Sequence, residues 1–321
     1  MLALPGKIVH PRFARFREYR IELEQAGQGV WSAFRALGFS LEEVLAIAKG
    51  WGRALSGIEK PWLCWNVEHE WCLVQQKLVT EAGWTPLVGF DPRVGPPRKT
   101  VSGAVVFDFN AELGLPLLYP HFPLEFAFLF ARRLAFWHSD LLLRREKMAE
   151  LARIFAALPD SVTAACEVDP GFRYRYLPWR QRYWELVGCT TASASRDQFE
   201  KGCGWWMAFW AHPHQSHPKT IRRWRYWDHG AGIRHWHRHE GGHCMVLDGR
   251  DYEEGHFSKI GRLDYQGVKE PNGSDVRRNM SEELVRHYDL RTACGKLGLA
   301  DLLDHGDQGR IFHLGSTPPR G

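Results

Sequence analysis

The amino-acid sequence predicts an α/β fold: a mixed, mostly parallel sheet flanked by helices, with a helical N-terminal extension and C-terminal helices. Two observations carry this expectation. From residue 61 to 168, short β-like runs alternate with helical patterns in the order strand, helix, strand, strand, helix, strand, helix, strand, the rhythm of a sheet covered by helices. Within that rhythm, the stretch 132–158 (RRLAFWHSDLLLRREKMAELARIFAAL) passes from an apolar run, Leu134–Trp137, through the polar break His138-Ser139-Asp140 into an amphipathic helix. Met148, Leu151, Phe155 and Leu158 recur there at helical spacing.

The elements follow in chain order. Residues 10–58 read as short helices broken by Gly27, Gly29, Gly38 and Gly50; Ser40 and Glu43 form a capping-box pattern ahead of the stripe Leu41, Val44, Leu45, Ala48. After Lys60-Pro61 come a strand at Trp62–Val67, a helix over Glu68–Ala82, a strand at Thr85–Phe90, the loop Asp91–Lys99 and a third strand at Ala104–Phe109. A loop with Pro116, Pro120 and Pro123 and a short helix lead into the 132–158 unit, and Ser161–Val168 is a further strand. Tyr183–Thr190 reads as a strand, Ser195–Gln198 as a capping box opening a helix, and Cys244–Leu247 as a β-like patch before the turn Glu253–Ser258. Two helices, Ser281–Leu290 and Thr292–Leu303, close the fold. The expected organisation is an extension at 1–59, one α/β domain at 60–305 and a flexible tail at 306–321.

Composition narrows the class. A net charge of +5 without a block of like charge does not ask for nucleic acid. Seven Cys lack CxxC spacing, which suits reduced, buried thiols and a cytoplasmic chain. Arg132 and Arg133 interrupt the apolar stretch 124–143, so no membrane span is expected, and the N-terminus has no signal-peptide pattern. P-loop, GxGxxG and GxSxG motifs are all lacking.

In an open α/β sheet, ligands bind beyond the carboxyl ends of the strands, which is where His138 and Asp140 fall. They read either as a pair of ligands for one cation or phosphate, or as a polar turn whose Asp caps the next helix. Strand, x-Ser-Asp, apolar run, helix and strand over "LAFWHSDLLL…MAELARIF…SVTAACEV" resembles the centre of GT-A-fold glycosyltransferases, with the likeness strongest over residues 61–206. In that family a short acidic motif, usually Asp-x-Asp, holds a divalent cation against a sugar-nucleotide diphosphate. Here His138 stands at the first position.

The resemblance implies transfer of a sugar from a nucleotide-sugar donor to an acceptor, assisted by Mn²⁺ or Mg²⁺. It implies His138, Asp140 and the late His256 as cation ligands, with Asp91, Asp108 and Lys259 towards the donor. It implies Glu200 as general base, with Glu185, Trp205 and Trp206 on the acceptor side. At about 4 Å and an effective dielectric near 20, each charge pair at such a diphosphate is worth about 4 kcal/mol, so positive charge must gather there. Arg132, Arg133, Arg144 and Arg145 flank the motif, and a solvated role is expected for Arg144 and Arg145.

A different enzyme class rests on His235-Trp-His237-Arg-His239-Glu240, with His243 behind. On a strand, His235 and His237 face one way and with Glu240 are similar to cupin metal sites. A solvated His cluster fits the same residues. A third expectation is a binding protein that keeps a transferase-like fold without its chemistry.

Overall fold

The computed structural model describes residues 40–92, 94–114, 118–167, 182–205, 230–257, 288–304 and 311–312. The N-terminal residues 1–39 and the tail beyond 312 lie outside them, as do Trp206, Ser258 and Lys259.

The first described helix, α1 (Leu41–Ala54), starts on the capping box: the Glu43 N–H donates to Ser40 Oγ, and the Ser40 N–H to the Glu43 carboxylate. Val44, Ala48, Trp51 and Leu55 are buried. Trp51 meets Phe109, Phe122, Phe126 and Phe130 edge-on, with centroids 5.1–6.3 Å away. α1 therefore belongs to the same core as the sheet.

Seven strands form the sheet: β1 (Pro61–Asn66), β2 (Thr85–Phe90), β3 (Val105–Val106), β4 (Arg133–Trp137), β5 (Val162–Glu167), β6 (Tyr183–Thr191) and β7 (His243–Asp248). Their order is β3-β2-β1-β4-β6-β5-β7. β6 runs antiparallel to β4 and β5, and every other pairing is parallel. The sheet is thus mixed and mostly parallel. All six residues of β1 are buried, because helices cover both faces. Trp62 and Cys64 face a layer with α2 (His69–Glu81) and α5 (Arg145–Ala156). Leu63 and Trp65 face a second layer with α1, α3 (His121–Glu125) and α4 (Ala127–Phe130).

Several expected elements change. β3 ends after two residues because Asp108 turns the chain, its carboxylate accepting the Asn110 N–H at 2.8 Å. α6 (Ala192–Glu200) begins three residues before the expected capping box; Ser195 lies inside it, buried, with Oγ accepting the Phe128 N–H. Residues 235–239, expected as a strand, belong to helix α7 (Ala231–His239), since Ile233 and Trp236 are buried at a spacing of three. The expected helix Ser281–Leu290 is described only from Tyr288; Tyr288–Asp289 is strand β8, paired with β9 (Ile311–Phe312). α8 (Leu290–Leu297) and a 3₁₀ turn, Ala300–Leu302, take the place of the last expected helix. The turn expected at Glu253–Ser258 begins earlier, as the 3₁₀ segment Gly249–Gly255.

Two bonding sets hold the 132–158 unit in place. Arg133 donates to the Phe155 and Leu158 carbonyls at 2.7 and 3.1 Å, closing the C-terminal end of α5. Arg144 and Arg145, expected to be solvated, form ion pairs instead: Arg144 with Glu254, and Arg145 with Glu81 and Asp301. Those pairs are partly exposed and tie α5 to its neighbours more than they stabilise the chain.

Two glycines separate tight packing from open backbone. A Cβ on Gly188, in the middle of β6, would stand 2.5 Å from the Phe136 ring and 2.6 Å from the Ala164 carbonyl, so Gly188→Ala is expected to cost about 1–3 kcal/mol. Gly295 lies in α8 with open space around it, so Gly295→Ala should add about 0.5–1 kcal/mol. Denaturant unfolding of both variants checks the pair, and equal effects would contradict this packing.

Candidate functional site

β1 leads outward to β2 on one side, while β4 lies against β1 on the other, so the strand order reverses between β1 and β4. The crevice beyond their carboxyl ends is where an open α/β sheet receives its ligand. His138 follows β4 directly, and its N–H donates to the Leu186 carbonyl at 2.8 Å. Because β6 is antiparallel, its first residues reach the same edge, which sets Glu185 beside His138. β7 runs out to Asp248, and the 3₁₀ segment after it carries His256 back over the crevice. There the Phe257 N–H donates to the Asp140 carbonyl at 2.9 Å, and the Leu142 N–H to the Gly255 carbonyl at 3.0 Å. Buried Gln75, from α2, pins the turn by donating to the His138 and Leu141 carbonyls at 2.8 Å each.

These connections bring six chemically active side chains together. His138 Nδ1 lies 3.4 Å from Asp140 Oδ1 and 3.3 Å from His256 Nε2, and His256 Nε2 lies 3.3 Å from Asp140 Oδ1. On its other side, His138 Nε2 lies 3.3 Å from Glu185 Oε1. Arg182 Nη1 donates to Glu185 Oε2 at 2.9 Å, and His121 Nε2 stands 3.6 Å from Glu185 Oε1. Trp184 walls the cluster, its ring edge-on to His256 at 5.0 Å. α5 starts at Arg145 with Arg144 at its N-cap position, so Asp140 does not cap it.

The electrostatics follow from crowding charge at low exposure. Burial works against charge on His138, but hydrogen bonds to Asp140 and Glu185 outweigh it and hold the imidazole up at about 9. Burial pushes the Asp140 carboxyl up, yet bonds from His138 and His256 win and hold it well below the usual carboxylate range. The cluster also fits a cation once His138 gives up its proton: His138 Nδ1, Asp140 Oδ1 and His256 Nε2 are mutually 3.3–3.4 Å apart, close enough for one ion to touch all three. Among the described residues, two trios of such atoms lie within 4.8 Å of one another: His138, Asp140, His256 and His121, His138, Glu185. Both contain His138.

The remaining expected site residues are placed as follows. Asp91 is buried at the end of β2, where its N–H meets the Asn66 carbonyl, two strands from β4. Asp108 is exposed and bonded to its own turn. Glu200 is exposed at the C-terminal end of α6. Trp205 is 1% exposed and packs edge-on against Phe136 at 4.7 Å, so it is a core ring with no face for a sugar, contrary to expectation. The strand reading behind the cupin-like site also fails. On helix α7, His235 bonds Glu240 at 3.0 Å with its ring against His239, while His237 points elsewhere, to the Tyr183 hydroxyl. His121, Arg182 and Gln75 were not singled out from sequence, since only the topology brings them to His138.

No family model, no curated protein and no solved structure matches the chain.

A second polar group flanks the crevice at the end of β1. Asn66 Nδ2 donates to the Gly95 carbonyl at 2.9 Å, and Glu68 accepts the Trp71 N–H at the start of α2. Burial and the adjacent Glu70 carboxylate raise Glu68 far above the usual range, so it keeps its proton at neutral pH. An acid raised in the folded state contributes stability that is complete below its unfolded value near 4.3 and is lost as pH climbs towards its folded value. Glu68→Gln is therefore expected to melt close to the native chain at pH 4 and above it at pH 8. Thermal unfolding at the two pH values checks the sign.

Proposed function

We propose that the chain transfers a sugar from a nucleotide-diphosphate-sugar donor to an acceptor, with the diphosphate seated at the crevice between β1 and β4. The observation that carries this reading is the meeting of His138, Asp140 and His256 beyond the carboxyl end of β4. Those three would hold a divalent cation, and two nitrogens with one oxygen suit Mn²⁺ better than Mg²⁺. When bound, such a cation neutralises the diphosphate and stabilises the charge that develops on the leaving group.

The chain's own residues do the rest. Trp184 excludes water from one side of the triangle. Asp91, at the end of β2, lies on the side of the crevice where the base and ribose would extend. Glu200, exposed at the C-terminal end of α6, would take the acceptor proton.

One observation favours a second reading, a binding protein with this fold and no transfer chemistry. His138 already meets a carboxylate at each ring nitrogen, so the cluster needs no cation to be satisfied.

Thermal unfolding with uridine, guanosine and adenosine diphosphates, each with and without MnCl₂, tests the proposal. A ligand at 100 times its dissociation constant adds about 2.7 kcal/mol. The expected result is stabilisation by one diphosphate that requires Mn²⁺ and disappears in Asp140→Asn. If no diphosphate stabilises the native chain, the transferase reading fails. If one stabilises native and Asp140→Asn alike, the site lies elsewhere.

A further inference from the structure

We infer that Glu185 is a positioning residue for the cation triangle: it accepts from His138 Nε2 and so turns His138 Nδ1 towards Asp140 and His256. The inference rests on the cation reading proposed above and goes beyond it by assigning a role to a residue outside the triangle.

The geometry separates the two trios that share His138. An imidazole presents one lone pair to a metal, and the bond made by its other nitrogen decides which one. In the outer trio, His138 Nδ1, Asp140 Oδ1 and His256 Nε2 are mutually 3.3–3.4 Å apart, a closed triangle. In the inner trio, Glu185 is 3.3 Å from His138 Nε2 but 3.6 Å from His121 Nε2, a looser arrangement. The decisive group is Arg182. Its guanidinium donates to Glu185 Oε2 at 2.9 Å, which places a fixed positive charge against the inner trio and opposes a cation there. The same bond holds Glu185 still, leaving Oε1 aimed at His138 Nε2. Carboxylate, histidine and metal in line is the arrangement by which a second carboxylate orients a ligating histidine and raises its basicity.

The chemistry behind the role is charge as well as direction. Glu185 is 6% exposed, so its carboxylate acts on His138 through little water. A neutral Gln at the same position keeps an oxygen for the His138 N–H but loses the charge and the ion pair with Arg182.

The experiment is a Co²⁺ titration of the full chain, followed by visible absorbance, whose bands report the number and kind of ligands. Thermal unfolding without metal serves as the folding control. The native chain is expected to take up one Co²⁺. Glu185→Gln should bind about 10–100-fold more weakly with a shifted band, while His121→Ala keeps the native band and affinity. Arg182→Lys, which loosens Glu185 without removing it, should shift the band in the same direction and answers for Glu185→Gln if that variant does not fold. A native band and affinity in Glu185→Gln would make Glu185 structural only and overturn the inference while leaving the cation reading intact. Loss of Co²⁺ in His121→Ala would put the cation in the inner trio and overturn it as well. If the native chain binds no Co²⁺, the cation reading itself falls and takes this inference with it.

Discussion

One hydrogen bond at the edge of the sheet governs the site: the His138 N–H to the Leu186 carbonyl, 2.8 Å. It extends the antiparallel pairing of β4 and β6 one residue past Trp137↔Val187. Had β6 run parallel to β4, its amino end would lie at the opposite edge, with Arg182, Trp184 and Glu185 far from the crevice. Reversing this one strand turns the start of β6 into a wall of the site. The two parallel neighbours, β1 and β4, then leave the gap that the wall closes.

Gathering this much charge carries an electrostatic cost. Removing ions from water is unfavourable, and their attraction offsets this only when nearly every lone pair and proton is matched. The cluster approaches that condition by setting basic groups against carboxylates: Arg182, Glu185, His138, Asp140 and His256 form one chain of contacts, each 3.4 Å or shorter. Gln75 adds what the side chains do not, satisfying the carbonyls of the turn itself. A site so tightly matched is held by its neighbours, and removing one member strands the next. That makes the cluster an organising feature of the fold as much as a place for a ligand.

Much of the fold was legible because its signals are local. β1, β2, β4 and β5 are continuous apolar runs, and α5 shows its buried face at helical spacing in Met148, Leu151 and Phe155. The α7 region misled because alternating His residues mimic a strand, whereas the apolar pair Ile233 and Trp236 decides the period. At the site, Asp140 and His138 could be read from their place after a strand. That His256 reaches them depends on β7 and the 3₁₀ segment after it, and no spacing encodes such a return. Glu185 was visible as a carboxylate but assigned to the acceptor side, since an antiparallel β6 is a property of the whole sheet. His121 and Arg182 carry no motif at all.

The turn after β4 carries one histidine and one carboxylate, His138 and Asp140, 3.4 Å apart. With His138 in the first position, the turn after β4 offers one negative charge, from Asp140, where an Asp-x-Asp pair offers two. A second carboxylate stands behind the imidazole: Glu185 lies 3.3 Å from the far nitrogen of His138 and shares its charge with Arg182. The imidazole lies between the two carboxylates and couples them, at 3.4 Å on one side and 3.3 Å on the other. Arg182 holds the rear carboxylate by a bond of 2.9 Å. The result is a line of partners in which Arg182 offsets the charge of Glu185 and His138 stands between two carboxylates.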